Sequence, residues 1–503
     1  MSSLIRNYGL LFIGCVLFHV LGTWSLPLID RDEPRFAEAS REMIERGDYV
    51  APYFNNQYRF DKPPLAYWAQ VASYKIFGEN DFAARFPSVI AAALVALSIL
   101  AWGSRIGGNR LGWWAATIFT VSLQIFLHAK AAVADMWLVL FVTLAHWAGY
   151  ELAFVSTNQT SNDARPARAK PQTSTKWWII FYLSLVLAFL AKGPIGFVPL
   201  FTVAVIMLQD RQVELGKRFA FVRGIILTLA VISLWAVPAI LQTHGEFLRV
   251  GLGRHVIKRS FGAMEGHGGS SLVTYLLFLP FYFVTIFISF FPWSIKLPWL
   301  TGRLWRNKAA ASGSGYSTAG KIDNYLLVGS AIIFIIFTLV RTKLPHYTLP
   351  AFPLLSLLLA RQLILAEFSV QRFKVIALGA AIVFVLVALV VPPLVAPAFP
   401  ARQLFEKSKK DLRPEMEFGA VDFTEASLVW YFRSRVHGWM TTLDRETAKP
   451  FMEKAGARFI ILPTNLAETL FADRPSNWKT YSHHGVNIAK GQHVDLTLVL
   501  KPE

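Results

Sequence analysis

The amino-acid sequence has a single cysteine, Cys15, in 503 residues. A disulfide within the chain needs two cysteines and a thiolate metal cluster needs several, so both are excluded. Charged residues are also scarce: Asp, Glu, Lys and Arg together make up 16% of the chain, whereas 54% of it is hydrophobic. With a mean hydropathy of +0.42, this composition excludes a soluble enzyme and a coiled coil and indicates a membrane protein.

Acidic residues are fewer than basic ones, 32 against 50, and the formal net charge is +18. Such a charge indicates nucleic-acid binding only where the cations form an arm, a stripe or a patch. Here the Lys and Arg residues are spread between apolar stretches along the chain. The sequence therefore predicts no nucleic-acid partner, and the cations instead fit the Lys and Arg excess of cytoplasmic loops in multispanning membrane proteins.

Long apolar stretches fill most of residues 1–400. The first stretch is too long for the apolar core of a signal peptide, so we interpret it as a retained helix. Short loops rich in Lys and Arg are predicted to be cytoplasmic, which places the alternate loops, among them 30–83, 243–271 and 341–347, outside. Since a span needs about 20 apolar residues, about eleven are predicted. Their approximate bounds are 8–28, 84–102, 111–128, 131–154, 177–191, 194–208, 222–241, 272–296, 324–340, 347–365 and 375–396.

The sequence changes character after the last apolar stretch. Residues 401–503 carry charges of both signs and short apolar runs, such as 459–462 and 496–500. Such a segment is long enough to form its own core. We therefore predict an α-helical polytopic membrane domain over residues 1–400, whose first external loop covers 30–83 with an amphipathic helix, and an external soluble α/β domain over residues 401–503.

Residues 30–38, directly after the first span, contain four carboxylates and two arginines. Pro34 fits the first turn of a helix, with Asp32 or Glu33 near its amino-terminal cap and Arg35 following. One interpretation is that these charges cap the helix and extend to the interface. The other is that a carboxylate at the membrane edge acts as a general base or binds a cation.

Three further ionisable residues lie at predicted element boundaries. Lys62 precedes a helix, where a point charge beside free backbone N–H groups suits either a phosphate or an anionic lipid. Asp135 begins an apolar span, and Lys192 separates two apolar stretches. Ionisable groups at such places are costly in a membrane and indicate function, although helix capping is the alternative for Asp135.

Two predicted external segments add cations. The loop 243–271 contains several basic residues and few acids, which suits neutralisation of a phosphate. The segment 341–350 adds two cations and the phenol of Tyr347. The histidines have no zinc-binding spacing and are interpreted as structural or solvated. Because the carboxylates and cations share one predicted face, we expect a site for a lipid-linked phosphate there.

Four spaced motifs carry a family resemblance: DEPRFAE at 32–38, FDKPPLAYW at 60–68, AKGP at 191–194 and KLPHYTLP at 343–350. Together they resemble the bacterial aminoarabinose lipid A transferases and the related protein mannosyltransferase-type enzymes. Both groups are membrane glycosyltransferases of the GT-C type. The resemblance covers roughly residues 5–365, in order along the chain.

The resemblance implies an inverting glycosyltransferase that transfers a hexosyl or pentosyl group from an undecaprenyl or other polyprenyl phosphate. The acceptor would be lipid A, lipopolysaccharide or another envelope glycan, at the periplasmic face of the bacterial inner membrane. The cations would stabilise the departing lipid phosphate while Asp32 orients or deprotonates the attacking oxygen. The implied catalytic residues are Asp32 and Asp135; the implied donor-phosphate residues are Lys62, Lys192, Arg59, Arg254, Lys258, Arg259 and Tyr347; the implied supporting residues are Glu33, Arg35, Asp61 and Lys343.

The chain departs from the aminoarabinose enzymes at two positions. It has Asp61 where they carry a metal-binding glutamate, and Arg59 where they carry a tyrosine. Near His255 the partner histidine is displaced, so the sequence predicts no definite cofactor and leaves a divalent metal open. The expected partners are the sugar donor, the acceptor of the sugar and membrane lipids.

Three other functions remain open from the sequence. Within the same class, the alternative is a protein O-mannosyltransferase. A transporter of lipid-linked anions would use the same cations, but it should show polar residues within the spans and repeat symmetry. A non-enzymatic membrane scaffold whose tail binds a partner is the remaining alternative.

Overall fold

The computed structural model describes residues 3–155, 174–210, 213–258, 272–311 and 318–503. Within these ranges most of the chain is α-helical, and a five-stranded sheet lies near the carboxyl terminus. Seven described helical segments are long and apolar enough to cross a membrane, and a shorter apolar helix, Ile5–Val20, precedes them. The prediction of a polytopic helical membrane protein with a small C-terminal α/β domain is confirmed.

Helices occupy the apolar stretches and also the first predicted external loop. In chain order the described α-helices are α1 (Ser3–Val20), α2 (Asp32–Arg46), α3 (Leu65–Phe77), α4 (Asp81–Thr120), α5 (Leu123–His128), α6 (Asp135–Tyr150), α7 (Thr175–Lys192), α8 (Val198–Asp210), α9 (Val213–Phe219), α10 (Phe221–Gln242), α11 (Leu272–Leu277), α12 (Phe281–Ser289), α13 (Leu297–Ala311), α14 (Thr318–Leu339), α15 (Phe352–Leu365), α16 (Val370–Val395), α17 (Pro400–Ser408), α18 (Ala426–Phe432), α19 (Ala448–Glu453) and α20 (Thr464–Leu470). Tighter 3₁₀ segments cover Gly193–Phe197, Trp293–Lys296, Pro345–Ala351 and Ala396–Ala398, and wider π segments cover Glu151–Val155 and Phe247–Lys258.

The count of seven differs from the predicted eleven for three reasons: two segments each cover two predicted spans, one predicted span is divided, and the first, predicted at 8–28, is the shorter helix Ile5–Val20. The spans predicted at 177–191 and 194–208 lie in one apolar helical segment, Thr175–Gln209. Likewise, 84–102 and much of 111–128 lie in α4. The span predicted at 272–296 is divided among α11, α12 and a 3₁₀ segment, so none of its parts reaches the length of a span.

Helix α4 is interrupted at Gly107 and Gly108, whose backbones are not helical. The φ of Gly108 is +82°, in the left-handed region that favours glycine. On either side of this break the backbones approach closely: a Cβ added at Gly103 would lie 2.7 Å from the Cα of Gly112. Because small residues permit such contact, the break turns α4 into a hairpin of two packed helical arms.

Contacts within the chain divide it into two compact units. These units differ from the predicted domains 1–400 and 401–503, because most of the first external loop belongs with the C-terminal elements. The first unit comprises Met1–Val20, Phe60–Ala66 and Ser88–Phe384, and the second comprises Leu21–Arg59, Tyr67–Pro87 and Val385–Glu503.

The first unit has an apolar core built from helices. Trp102, Phe119, Tyr325 and Leu357 are all buried in it. The hydroxyl of Tyr325 donates a hydrogen bond to the carbonyl oxygen of His146, at 2.8 Å. A buried aromatic side chain thus packs in the core while its polar atom is satisfied.

The second unit contains a mixed sheet and the helices of the first loop. Its strands are β3 (Glu417–Val421), β4 (Met440–Leu443), β5 (Arg458–Pro463), β6 (Lys479–Asn487) and β7 (Gln492–Lys501), in the order β4-β3-β5-β7-β6. Strand β3 pairs in parallel with β4 and β5, while β7 is antiparallel to β5 and β6. A short hairpin of β1 (Tyr53–Phe54) and β2 (Gln57–Tyr58) belongs to the loop.

Helix α2 packs against α18 within this unit. The guanidinium Nη1 of Arg41 donates to the carbonyl oxygen of Trp430 at 3.0 Å, and its carbon lies 4.0 Å from the centre of the Trp430 ring. Asp81, at the start of α4, accepts hydrogen bonds from the indole of Trp430 and the hydroxyl of Tyr431, at 2.8 and 3.0 Å. These contacts explain why the loop and the C-terminal elements form one unit.

Candidate active site

Asp135 and Lys192 form an ion pair in the first unit. Asp135 is the first residue of α6, and Lys192 is the last residue of α7, which ends where Gly193 has a positive φ of 75°. The Nζ of Lys192 lies 2.5 Å from Oδ1 of Asp135. Both side chains are largely shielded, with 14% and 9% exposure respectively. Two candidate residues that are 57 positions apart in sequence are therefore brought together.

Aromatic side chains lie around this ion pair. The Nζ of Lys192 is 5.5 Å from the centre of the Tyr347 ring, a third candidate residue. The rings of His128 and His346 lie 5.0 Å apart, centre to centre. Potential ligand atoms of these two histidines and Asp135 all lie within 4.8 Å of one another. Sequence analysis missed both histidines, because their spacing matches no zinc motif; the position of His346 beside Tyr347 was the available signal.

Lys343, predicted as a supporting residue, caps a helix. Its Nζ donates hydrogen bonds to the carbonyl oxygens of Phe337 and Val340, at 3.1 and 2.6 Å, and to that of Thr338. These carbonyls belong to or follow the last turn of α14, where a cation is favourable. Burial lowers the pKa of Lys343 to about 8. The described contacts of its ammonium group therefore give Lys343 a structural role.

Asp61 and Lys62 pair with each other just before α3. The Nζ of Lys62 lies 2.6 Å from Oδ1 of Asp61, and both side chains are about one-sixth exposed, at 16% and 17%. Two prolines, Pro63 and Pro64, separate this pair from the first residue of α3. A phosphate that binds Lys62 would share its ammonium group with the carboxylate of Asp61.

Asp32 and Glu33 are adjacent at the start of α2 in the second unit, but their surroundings differ. Asp32 is exposed, and its side chain makes no ion pair among the described contacts. Glu33 is buried and forms a two-point ion pair with Arg85, at 2.9 and 2.6 Å. Arg85 also donates to the carbonyl oxygens of Thr23, Leu26 and Pro27, so Glu33 and Arg85 together fix the segment that leads into α2.

A buried network of charges extends along α2. Glu38 is fully buried and accepts hydrogen bonds from Arg41, at 2.9 Å, and from Arg433. Arg433 also donates to Glu45 at 2.7 Å. Burial and the charge of Glu38 raise the pKa of Glu42 to about 7. Sequence analysis did not single out this network, since its arginine comes from the C-terminal segment.

Of the other candidates, Arg35 and Arg59 belong to the second unit. The guanidinium Nε of Arg59 lies 3.0 Å from the hydroxyl oxygen of Tyr67, and Arg35 is half-buried. Burial raises the pKa of Asp30 to about 6, while two hydrogen bonds from Ser427 and, to a smaller extent, the charge of Arg35 oppose this shift. The side chains of Arg254 and Lys258, and all of Arg259, lie outside the described residues.

The chain is similar to known glycosyltransferases. A family model described as dolichyl-phosphate-mannose-protein mannosyltransferase matches residues 61–161. A protein of Edwardsiella ictaluri named undecaprenyl phosphate-alpha-4-amino-4-deoxy-L-arabinose arabinosyl transferase is 28% identical over 69% of this chain and 57% of that protein. The protein of the same name from Yersinia pestis is 29% identical over 71% of this chain and 60% of its own length. The chain thus spans about three fifths of the length of these curated relatives.

Solved structures match over nearly the whole chain. ArnT from Cupriavidus metallidurans bound to undecaprenyl phosphate matches with a TM-score of 0.75 and 17% identity, over 99% of this chain and 98% of that one. Its apo form matches with a TM-score of 0.74 and 18% identity, over the same shares of the two chains. The chain therefore has the fold of these ArnT structures, which is of the GT-C type.

Within this fold, the candidate residues lie in separate groups. Asp135, Lys192 and Tyr347 lie together in the first unit, where Asp61 and Lys62 form another pair. Asp32, Glu33, Arg35 and Arg59 belong to the second unit. Pairing of Asp135 with Lys192 accounts for both charges at the ends of apolar helices, whereas Glu33 is engaged in packing.

Proposed function

We propose that this ArnT-like protein transfers a sugar from an undecaprenyl phosphate donor to lipid A, lipopolysaccharide or another envelope acceptor. The names of the relatives, whose similarity covers 69–71% of this chain, support this activity. The fold of a solved protein that carries undecaprenyl phosphate supports the donor class. The single observation that carries the proposal is the shielded pair of Asp135 and Lys192 beside Tyr347.

The Asp135–Lys192 pair is suited to binding a phosphate. An ammonium group has three N–H donors, and the described carboxylate contact of Lys192 uses one of them at 2.5 Å. The remaining donors and the hydroxyl of Tyr347 would bind phosphate oxygens of the lipid carrier. Lys62 would add a second cation, with Arg59, Arg254, Lys258 and Arg259 as further donor-phosphate residues, and Asp61 and Lys343 in supporting positions.

In the proposed reaction, the acceptor oxygen attacks the anomeric carbon of the sugar. A new glycosidic bond forms on the opposite face while the bond to the phosphate oxygen breaks, so the configuration inverts. The lipid phosphate leaves with an additional negative charge, which the cations stabilise. Asp32, exposed and without an ion pair among the described contacts, would orient or deprotonate the acceptor, with Glu33 and Arg35 holding its helix.

We place the protein in the bacterial inner membrane, with this site facing the periplasm. Seven candidate spans support the multi-pass arrangement, and the short loops rich in Lys and Arg support the orientation. Residues 1–400 would carry catalysis, and residues 401–503 would form the periplasmic α/β domain.

Protein O-mannosylation is the second candidate function. The observation in its favour is the match of residues 61–161 to the dolichyl-phosphate-mannose-protein mannosyltransferase model. That segment contains Lys62 and Asp135, which both activities would use to bind a lipid phosphate. The two activities differ in the acceptor, so the experiment must offer both lipid and protein acceptors.

The test supplies purified full-length protein with an undecaprenyl phosphate-linked sugar and either envelope lipids or membrane proteins, and follows sugar transfer by mass spectrometry. We expect transfer to lipid by the wild type and its loss in Asp32→Asn and Lys62→Ala. The matched controls Asp473→Asn and Lys75→Ala, at exposed positions, should retain it. Wild-type protein that binds or moves the lipid phosphate without transferring sugar to any acceptor would instead indicate a transporter.

A further inference from the structure

Three side chains that can bind a metal ion converge in the first unit. His128 is the last residue of α5, Asp135 is the first residue of α6, and His346 lies in the 3₁₀ segment Pro345–Ala351. Their potential ligand atoms all lie within 4.8 Å of one another. Asp135 is buried and the two histidines are half-buried. The fold therefore brings two imidazoles and one carboxylate from three separate elements to one partly shielded point.

We propose that His128, Asp135 and His346 bind a divalent transition metal ion, with zinc as the best match. Two imidazole nitrogens and one carboxylate oxygen form a ligand set that zinc accepts readily. Three protein ligands leave a fourth position of the tetrahedron for water or for an oxygen of a bound molecule. This arrangement is typical of catalytic zinc sites, whereas purely structural sites use four protein ligands.

The distances fit a site that contracts slightly when the ion binds. Zinc bonds of about 2.1 Å in a tetrahedron place neighbouring ligand atoms about 3.4 Å apart. The observed upper limit of 4.8 Å exceeds that separation by an amount that small side-chain rotations can close. Both histidines are half-buried, so part of each side chain borders solvent.

A neighbouring amide orients one of the ligands. The Nε2 of Gln124, one turn before His128 in α5, lies 3.0 Å from Nδ1 of that histidine. The Oε1 of Gln124 accepts a hydrogen bond from the hydroxyl of Ser289 at 3.2 Å. Metal-binding histidines characteristically make a hydrogen bond through their other ring nitrogen, which sets the orientation of the ring. Gln124 is placed to provide that contact for His128.

The charge of Lys192 should lower the affinity of this site for zinc. Its Nζ lies 2.5 Å from Oδ1 of Asp135, so the other carboxylate oxygen is the one to bind zinc. A positive charge so close to the ion opposes its binding, and the affinity should therefore rise when that charge is removed. A zinc ion there would add positive charge beside Lys192 and Tyr347, where an anionic oxygen would be attracted to it. The inference extends the proposed function, but metal binding itself does not rest on it.

The test measures zinc binding directly. Full-length protein purified without a histidine tag is stripped with a chelator, dialysed against zinc and analysed for bound metal; cobalt then serves as a spectroscopic probe. We expect one bound ion in the wild type, with the visible absorption of tetrahedral cobalt. His128→Ala and His346→Ala should each weaken binding at least about tenfold. His484→Ala, whose side chain is exposed at 66% in the second unit, should bind as the wild type does.

Lys192→Met provides a test that does not remove a ligand. If zinc lies at Asp135, this variant should bind it more tightly than the wild type, whereas binding elsewhere on the chain would not respond. His128→Gln and His346→Gln replace the alanine variants if those elute as aggregates. A wild type that binds no zinc, or glutamine or alanine variants that bind it as the wild type does, overturns the site. Sugar transfer by metal-free protein would limit the zinc to a structural role. A wild type that binds zinc but transfers no sugar would contradict only the proposed function.

Discussion

Charged side chains are buried in both units, but they are engaged differently. In the second unit, Arg85 is surrounded by acceptors: two oxygens of Glu33 and three backbone carbonyls. In the first unit, Lys192 makes one described carboxylate contact and faces the ring of Tyr347. Burial of a charge therefore does not by itself indicate a site. The number of hydrogen-bonding positions already in use separates a charge that holds the fold from one that can bind a ligand.

The largest effect is expected from Arg85→Met, which tests whether Arg85 stabilises the second unit. It would leave the Glu33 carboxylate and three carbonyl oxygens without their donor. Breaking a buried ion pair in this way costs about 3–5 kcal/mol. Denaturant unfolding of the purified protein should show this loss, while Arg445→Met, whose side chain is exposed at 71%, should change stability little. Equal stability of the two variants would refute a structural role for Arg85.

Lys192→Met tests whether Lys192 binds the donor phosphate. Removal of one positioned donor from a site that stabilises developing negative charge reduces rates about 10²–10³-fold. We expect a reduction of this size in sugar transfer per folded molecule, measured by mass spectrometry. Lys176→Met, at an exposed position at the start of α7, is the matched control. Unchanged transfer in Lys192→Met would mean that its pairing with Asp135 is only structural.

Lys343→Met removes a cation of the first unit whose ammonium group already donates to backbone carbonyls. This lysine donates to three carbonyls of or just after α14, so its loss should lower stability by about 1–3 kcal/mol through unsatisfied acceptors. Thermal unfolding in detergent measures this change. Transfer per folded molecule should fall less than in Lys192→Met. The reverse order of the two effects would assign the donor-binding role to Lys343.

The smallest effect is a pH dependence that arises from Glu42. Its pKa in the folded protein is raised from 4.5 to about 7, so the folded state binds a proton more tightly than the unfolded state does. Stability from this group is therefore present below pH 4.5 and is lost as the pH rises to about 7. Thermal unfolding from pH 4.5 to 7.5 should show a decline that is shallower in Glu42→Gln. Parallel curves for the two proteins would contradict the raised pKa.

Some site residues could be predicted from the sequence and others could not. Asp135 and Lys192 are visible because a charge at the end of an apolar stretch is costly wherever the chain folds. By sequence alone, Glu33 is as good a candidate site residue as Asp32. Its partner Arg85 lies in another helix, and no local sequence pattern predicts that contact. His128 and His346 could not be predicted as a pair for the same reason, because they lie far apart in sequence and neither belongs to a metal-binding motif. The sequence groups the first loop with the membrane helices. Its contacts with α18 join residues that are far apart in sequence, so no local pattern predicts them.

Local composition by itself determined that this protein is a helical membrane protein with a mixed C-terminal segment. The free energy of placing an apolar stretch in a bilayer depends mainly on the residues of that stretch, so it can be read without the fold. Only the tertiary structure decided which charges are neighbours, because Coulomb and hydrogen-bond energies depend on distances of a few ångströms. Packing of α6 against α7 placed Lys192 at 2.5 Å from Asp135, and packing of α2 in the second unit surrounded Glu38 with two arginines.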